Sequence, residues 1–338
     1  MRHYIGHLAP SDPLQAYLSD IVLPQLVPVK RQPRWRVFRV SLVSAVYLYE
    51  DKWTEARVIG KFYARARGLN GSNAPQSAAN EYRNLKTVRN LGFNRPPDYV
   101  VRPLGVNPDL GDLLVVEHLV GEQLDAVIEA AARDGQHERL YSKLSSLARF
   151  LAHLHNRTAN GAERVDFFRT QAYFDRVVDY LARESIISPH RTGRLREIGH
   201  AFAARSAQWE DCQVMVHGDA TPSNFLFGHD RDVYAIDLER MHHDDRVYDV
   251  VRLCGELKHC FLQATGDRLR SEPFIGHFLW EYAGHFPDRP RAFAAITGRL
   301  PFYLGLTLLR IARNNWLGDG YRRLLVHEAK TVLTGGLV

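Results

Sequence analysis

The chain has 338 residues, 45% of them hydrophobic, with 44 Lys+Arg against 38 Asp+Glu and a formal net charge of +6. That composition is ordinary for a globular protein and excludes a disordered chain, and the length allows a full core in two domains or one large one. The mild basic excess, with a pI of about 9.2, suits an anionic ligand such as a nucleotide. No dense Lys/Arg run marks a nucleic-acid arm.

Three cysteines, Cys212, Cys254 and Cys260, give neither a disulfide framework nor a zinc spacing. The N-terminus "MRHYIGHLAPSD" has no apolar signal region. No stretch reads as the roughly 18–20 apolar residues of a membrane helix. The expected compartment is the cytoplasm, with neither a membrane nor a nucleic acid as partner.

Taken in chain order, residues 1–33 read as an N-terminal extension, with helical spacing at Leu14, Tyr17, Leu18 and Val22 that stops near Pro24. "VKRQPRWRVFRV" alternates Arg34 and Arg36 with Trp35 and Val37, the polar face of a strand. "WRVFRV", "AVYLYED" and "EARVIGKFYA" are short β-branched and aromatic runs, expected to be three antiparallel strands. After the Gly- and Asn-rich "RGLNGSNAPQ", Ser77 can cap a helix with Tyr82, Leu85 and Val88 on one face and Gly92 as its stop. "VVRPLGV" and "DLLVVEHL" read as two further strands. Beyond "VGEQLDAVI" the period turns helical, first in "KLSSLARFLAHLHN". Short strands "QVMVHG", "NFLFG" and "VYAID" interrupt it, and four helical segments follow.

The interruption carries the chemistry. In "VMVHGDATPSNFLF", Asp219 and Asn224 share a loop with Pro222, and Asp237 follows an apolar strand. Asp and Asn often do no more than fill turns. As a set, though, they match kinase-type phosphoryl transfer: Mg²⁺ takes a few hard oxygens, and a further carboxylate accepts the proton of the attacking hydroxyl.

"HGDATPSN" followed by "IDLE" resembles the catalytic and metal motifs of the aminoglycoside phosphotransferase and choline kinase family, from about Trp35 to the C-terminus. The resemblance implies an α+β, bilobal protein-kinase-like fold. Its N-lobe would be a small antiparallel sheet with one helix over 34–118, which binds nucleotide. A larger helical C-lobe over 119–338 would hold the catalytic loop and the acceptor site. It implies Asp219 as the base and Asn224 and Asp237 as metal ligands. Lys61 would meet the nucleotide phosphates, paired with Glu81. Glu117 C=O and Leu119 N–H would read adenine, with Val116 just before them. His217 and Asp249 would brace the catalytic loop, and Glu239 is a further candidate at the metal.

The chain departs from the family between its first two strands, where "RVSLVSAVYLY" has no glycine; Ser41 and Ser44 are the candidate phosphate contacts there. "RMHHDDRVYD" reads as a solvated loop, since adjacent histidines point different ways and no third ligand is at zinc spacing. Arg291, Arg299, Arg310, Arg313, Arg322 and Arg323 lean towards a neutral or anionic acceptor rather than a polycation.

The reading is thus an ATP- or GTP-dependent, Mg²⁺-requiring kinase acting on a hydroxyl of a small molecule: a sugar, sugar phosphate, amino alcohol or antibiotic. The alternative is a nucleotide-binding pseudokinase scaffold, motivated by the glycine-free loop. A protein kinase is disfavoured, because the run from Asp237 to Asp249 is too short for a peptide-docking segment.

Overall fold

The computed structural model describes residues 3–40, 45–64, 77–159, 161, 163–205, 208 and 210–337. They divide into two units, Met1–Gly121 with Tyr234–Arg240, and Glu122–Val233 with Met241–Val338. The fold class is α+β: the first unit is built on an antiparallel sheet and the second is helical.

In the first unit the alternating runs become strands. These are β1 (His3–His7), β2 (Trp35–Arg39), β3 (Val46–Asp51), β4 (Arg57–Phe62), the short pair β5 (Asn94–Arg95) and β6 (Asp98–Val100), β7 (Pro103–Asn107) and β8 (Leu113–Glu117). Six of them form one sheet in the order β1-β2-β3-β4-β8-β7, every neighbouring pair antiparallel. Arg36 of the basic stretch and Arg57 on β4 both pair with Glu50 on β3, a cross-strand ion-pair cluster.

Residues 3–33 differ from the expected extension. β1 extends the sheet, and α1 (Pro13–Tyr17) continues into a π turn at Leu18–Val22 and a 3-10 turn at Leu23–Gln25. Leu14, Leu18, Val22 and Leu23 are buried in one core with Trp35, Tyr49, Leu104, Leu113 and Val115. Gln15 donates to the Pro33 carbonyl at 2.8 Å, and the Trp35 indole N–H donates to Ser19 Oγ at 3.2 Å. Buried aliphatic side chains contribute about 1.5–3 kcal/mol each, so this segment is part of the unit's core.

Helix α2 (Ala78–Asn90) starts at Ser77, whose Oγ accepts the Asn80 N–H at 3.2 Å. Its buried face is Ala78, Glu81, Leu85 and Val88, so Glu81 replaces the expected Tyr82 there.

The second unit contains β9 (Glu122–Gln123), α3 (Leu124–Asp134), α4 (His137–Thr158), α5 (Phe167–Arg183), α6 (Pro189–Ala203), β10 (Val214–Val216), β11 (Phe225–Phe227) and β12 (His242–Asp244). It ends in α7 (Val247–Thr265), α8 (Glu272–Ala283), α9 (Arg289–Ala312) and α10 (Asp319–Gly335). β10 pairs with β12, Met215 opposite His243, and β9 pairs with β11.

Two expectations are corrected here. His242–Asp244 is a strand, and Asp244, Asp245 and Arg246 are buried, so "HHDD" is not a solvated loop. Asp245 accepts from Arg299 at 2.8 Å and from Tyr303 Oη at 3.1 Å. Second, α9 is long and apolar enough by composition to cross a membrane, which the sequence reading missed. More than half of its apolar window is buried, and it packs on α7 and α10 of its own unit, as a core helix does.

Candidate active site

The sequence-derived residues fall into two groups. The first lies in the sheet unit. Lys61 on β4 donates to Glu81 Oε1 at 2.8 Å and to Asp237 Oδ1 at 3.0 Å. Period-two alternation puts Tyr63 on the same side as Lys61, and its hydroxyl donates to the other Glu81 oxygen. Asn84, one turn beyond Glu81 on α2, donates to the Leu238 carbonyl at 2.8 Å and ties the Asp237 loop to the helix. Asp237 has φ +66°, a left-handed backbone uncommon for a residue other than glycine.

Burial disfavours the charge on Lys61, but the carboxylates of Asp237 and Glu81 outweigh it and raise its pKa above the ordinary lysine value. Burial, and then the Glu81 carboxylate, raise the Tyr63 phenol. Glu239 completes an acidic cluster: one oxygen each of Glu81, Asp237 and Glu239 lie within 4.8 Å of one another. Burial and then the Asp237 carboxylate push Glu239 up to about 7. Three carboxylates thus face one ammonium, with Arg240 reaching Glu239 at 3.5 Å. The donor set is all hard oxygen with an excess of negative charge, which fits a divalent cation of the Mg²⁺ or Ca²⁺ kind.

At the end of β8, the Glu117 carboxylate accepts from Tyr99 Oη at 2.5 Å and from the Arg102 N–H at 2.6 Å. Leu119 follows, half-buried. Ser41 and Ser44 lie outside the described residues.

The second group lies in the helical unit, on the loop from β10 to β11. Asp249, fully buried on α7, accepts the backbone N–H groups of His217 at 2.6 Å and Gly218 at 3.0 Å. Gly218 has φ +81°, a conformation that favours glycine at this turn. His155 Nε2 lies 3.1 Å from Asp249, and its Nδ1 lies 2.7 Å from Tyr282 Oη. Burial lowers the His155 pKa, so the ring is neutral, with Nε2–H donating to Asp249 and Nδ1 accepting from Tyr282. The His217 ring packs against Phe225, and its Nδ1 accepts the Asp219 N–H at 3.4 Å.

Asn224 Nδ2 donates to the Asp219 carbonyl at 2.9 Å, which leaves its Oδ1 without a partner among the described residues. Asp219 Oδ1 is held by Arg252 at 3.0 Å, and Oδ2 is open among the described residues. Sequence reasoning missed Arg252, His155 and Tyr63. Tyr63 was legible from its spacing to Lys61; the other two depend on how α4 and α7 pack.

Residues 44–289 match the family model described as the Phosphotransferase enzyme family. The chain belongs to that family. No curated protein sequence matches it. Among solved structures, this phosphotransferase is similar to a Plasmodium vivax ethanolamine kinase, with TM-score 0.62, 12% identity, and 96% of this chain and 87% of that one covered. An amicoumacin kinase in complex with AMP-PNP, Ca²⁺ and Ami gives TM-score 0.60 and 17% identity, covering 95% and 92%. The APH(2")-IIa of a streptomycin–ATP ternary complex gives TM-score 0.55 and 11% identity, covering 97% of each chain. At these identities the likeness establishes the shared kinase-like fold.

Proposed function

We propose that this phosphotransferase moves the γ-phosphoryl group of ATP or GTP to a hydroxyl of a small molecule. The observation that carries the reading is Lys61 Nζ held between Glu81 and Asp237 within hydrogen-bond distance of both. That is the positioned cation which nucleotide phosphates need. The kinase neighbours, one in complex with ATP and another with AMP-PNP, support a nucleotide as the donor.

In this reading Lys61, set by Glu81, meets the phosphates. Asp237, with Glu239 beside it, and Asn224 offer hard oxygens to Mg²⁺. A bound divalent cation supplies charge neutralisation on the phosphates. Asp219 takes the hydroxyl proton on Oδ2, and Asp249 and His217 fix the loop that carries it. Glu117 and Leu119 present the backbone groups that read the base.

Thermal unfolding with Mg-ATP and Mg-GTP, on wild type and Asp237→Ala, tests the reading. Ligand at 100 times its Kd stabilises the native state by about 2.7 kcal/mol. We expect a Mg²⁺-dependent rise in Tm with one nucleotide at least, lost in Asp237→Ala. No rise with either nucleotide defeats the proposal.

A further inference from the structure

Packing narrows the arginines behind the acceptor expectation. Arg299 is spent on Asp211 and Asp245, and Arg322 on Asp319 and the Ala312 carbonyl. Arg310, from the same set, stands with Arg252 next to the proposed base. Arg252 on α7 and Arg310 on α9 line one small cavity in the helical unit, with Tyr173, Tyr248, Tyr303 and Thr307.

Arg252 gives one N–H to Asp219, and Arg310 gives one to Glu256 Oε1 at 2.6 Å. The Nε–H of each is buried without a hydrogen-bond partner. A guanidinium carries about five N–H donors, so this pair has donor capacity well beyond two carboxylate contacts. Buried donors of this kind are usually matched by an acceptor, and charged ones call for an oxygen that bears charge. Burial, and then the charge of Arg252, lower the pKa of Arg310, so the two cations are close enough to repel.

The cavity measures about 10 Å³, room for roughly one water-sized group. It therefore admits an oxygen, while the rest of a ligand would lie at the mouth. Of the lining side chains, Tyr173 and Tyr248 are half-buried and that of Arg310 is 17% exposed.

We propose that Arg252 and Arg310 form the acceptor-recognition subsite, and that it selects an acceptor bearing a carboxylate or phosphate near its reacting hydroxyl over cationic amines. This rests on Asp219 being the base. In the transfer, the bond from γ-phosphorus to the β–γ bridging oxygen breaks and the acceptor oxygen bonds to that phosphorus. The hydroxyl proton goes to Asp219, whose Oδ1 stays with Arg252. An ammonium at the same place would face two guanidinium groups already matched by Asp219 and Glu256.

The test uses the full chain saturated with Mg-AMP-PNP, so that the triphosphate site is filled. Inorganic phosphate, malonate and ethanolamine are then titrated by calorimetry and thermal unfolding. We expect phosphate or malonate to bind and ethanolamine not to, with whichever anion binds tighter identifying the source of the oxyanion. Arg310→Gln is expected to weaken that anion at least tenfold while Mg-AMP-PNP still raises Tm. Arg310→Lys, which keeps charge and volume closer to wild type, is expected to weaken it several-fold and serves if the glutamine variant does not fold. Anion binding unchanged in a folded variant, no binding of either anion, or binding of ethanolamine alone overturns the proposal. Failure of the nucleotide reading would show separately, as no response to Mg-AMP-PNP.

Discussion

The two groups of site residues are held by opposite means. The brace of the loop group is satisfied within the protein. Asp249 accepts from two backbone N–H groups and a neutral histidine, whose other ring nitrogen accepts from Tyr282. The sheet group is not: Glu81, Asp237 and Glu239 crowd around one lysine, and Glu239 is pushed up to about 7, by burial first and then by the Asp237 charge. A network satisfied within the protein stores its free energy in the fold. A network with uncompensated charge gains free energy only when a ligand arrives. Damage to the loop group should therefore show as lost stability with or without nucleotide. Damage to the sheet group should also change how far nucleotide stabilises the chain.

Asp219, like Asn224, keeps an oxygen open inside the loop group, and it gives the largest expected effect. One of its oxygens is tied down and the other is open. Asp219→Asn keeps the shape and a contact for Arg252 but cannot take a proton. Turnover should fall by about 10²–10⁴-fold, while Mg-ATP still raises Tm as in wild type. Steady-state rates with any accepted hydroxyl check this, and equal turnover would remove Asp219 from the chemistry.

Asp249→Ala comes next. It strands two backbone N–H groups and a histidine in a buried site, and breaking a buried hydrogen-bonded charge costs about 3–5 kcal/mol. Urea denaturation should show that loss equally with and without Mg-ATP; a loss seen only with nucleotide would break the contrast. The same pair predicts the response to acid. The unfolded chain protonates His155 near pH 6.5, whereas burial keeps the folded ring neutral. Stability should thus start to fall below about pH 6.5. Burial pushes Asp249 up, but the hydrogen bonds from His155 and the His217 N–H more than offset it and hold its pKa low. Its contribution persists to lower pH and is lost only as pH drops through that depressed value. His155→Gln should flatten the upper part of the acid slope and leave the lower part.

How much of this was legible follows from the kind of constraint each residue obeys. The juxtaposition of Lys61 with Glu81 and Asp237 was legible through the family resemblance, and that of Asp219 with Asn224 through the motif that sets them five residues apart in one loop. The strands β2, β3, β4, β7 and β8 were legible because alternation with turn residues is local. The N-terminal segment was misjudged: its four buried aliphatic residues face partners on β2, β3, β7 and β8, remote in sequence. The "HHDD" acids looked solvated because the arginine and tyrosine that bury Asp245 lie more than fifty residues on. α5 carries Phe174, Val177, Val178 and Leu181 at helical spacing, and so was readable in principle.

Smaller effects sharpen the sheet group. In Tyr63→Phe, Glu81 loses a donor and is left to Lys61 alone. A hydrogen bond to a charged group contributes about 1.5–3 kcal/mol, so the variant should lose about that much in urea. Its stabilisation by Mg-ATP should also shrink, because Lys61 is drawn further onto Glu81. An unchanged nucleotide response would mean that Tyr63 only fills space.

The smallest effect separates the fold of this group from its charge. Ser77 caps α2 one turn before Glu81, and Glu81 lies in the first turn, where the helix dipole favours an acid. Removing an N-cap hydroxyl costs about 1 kcal/mol. Ser77→Ala should lose that in urea, and Ser77→Asp, which restores an acceptor, should recover most of it. Neither should alter the stabilisation by Mg-ATP, since Lys61 and Tyr63 hold Glu81 from outside the helix. If the alanine variant loses nucleotide binding in proportion to stability, the helix start positions Glu81. The sheet group would then rely on its scaffold as the loop group does.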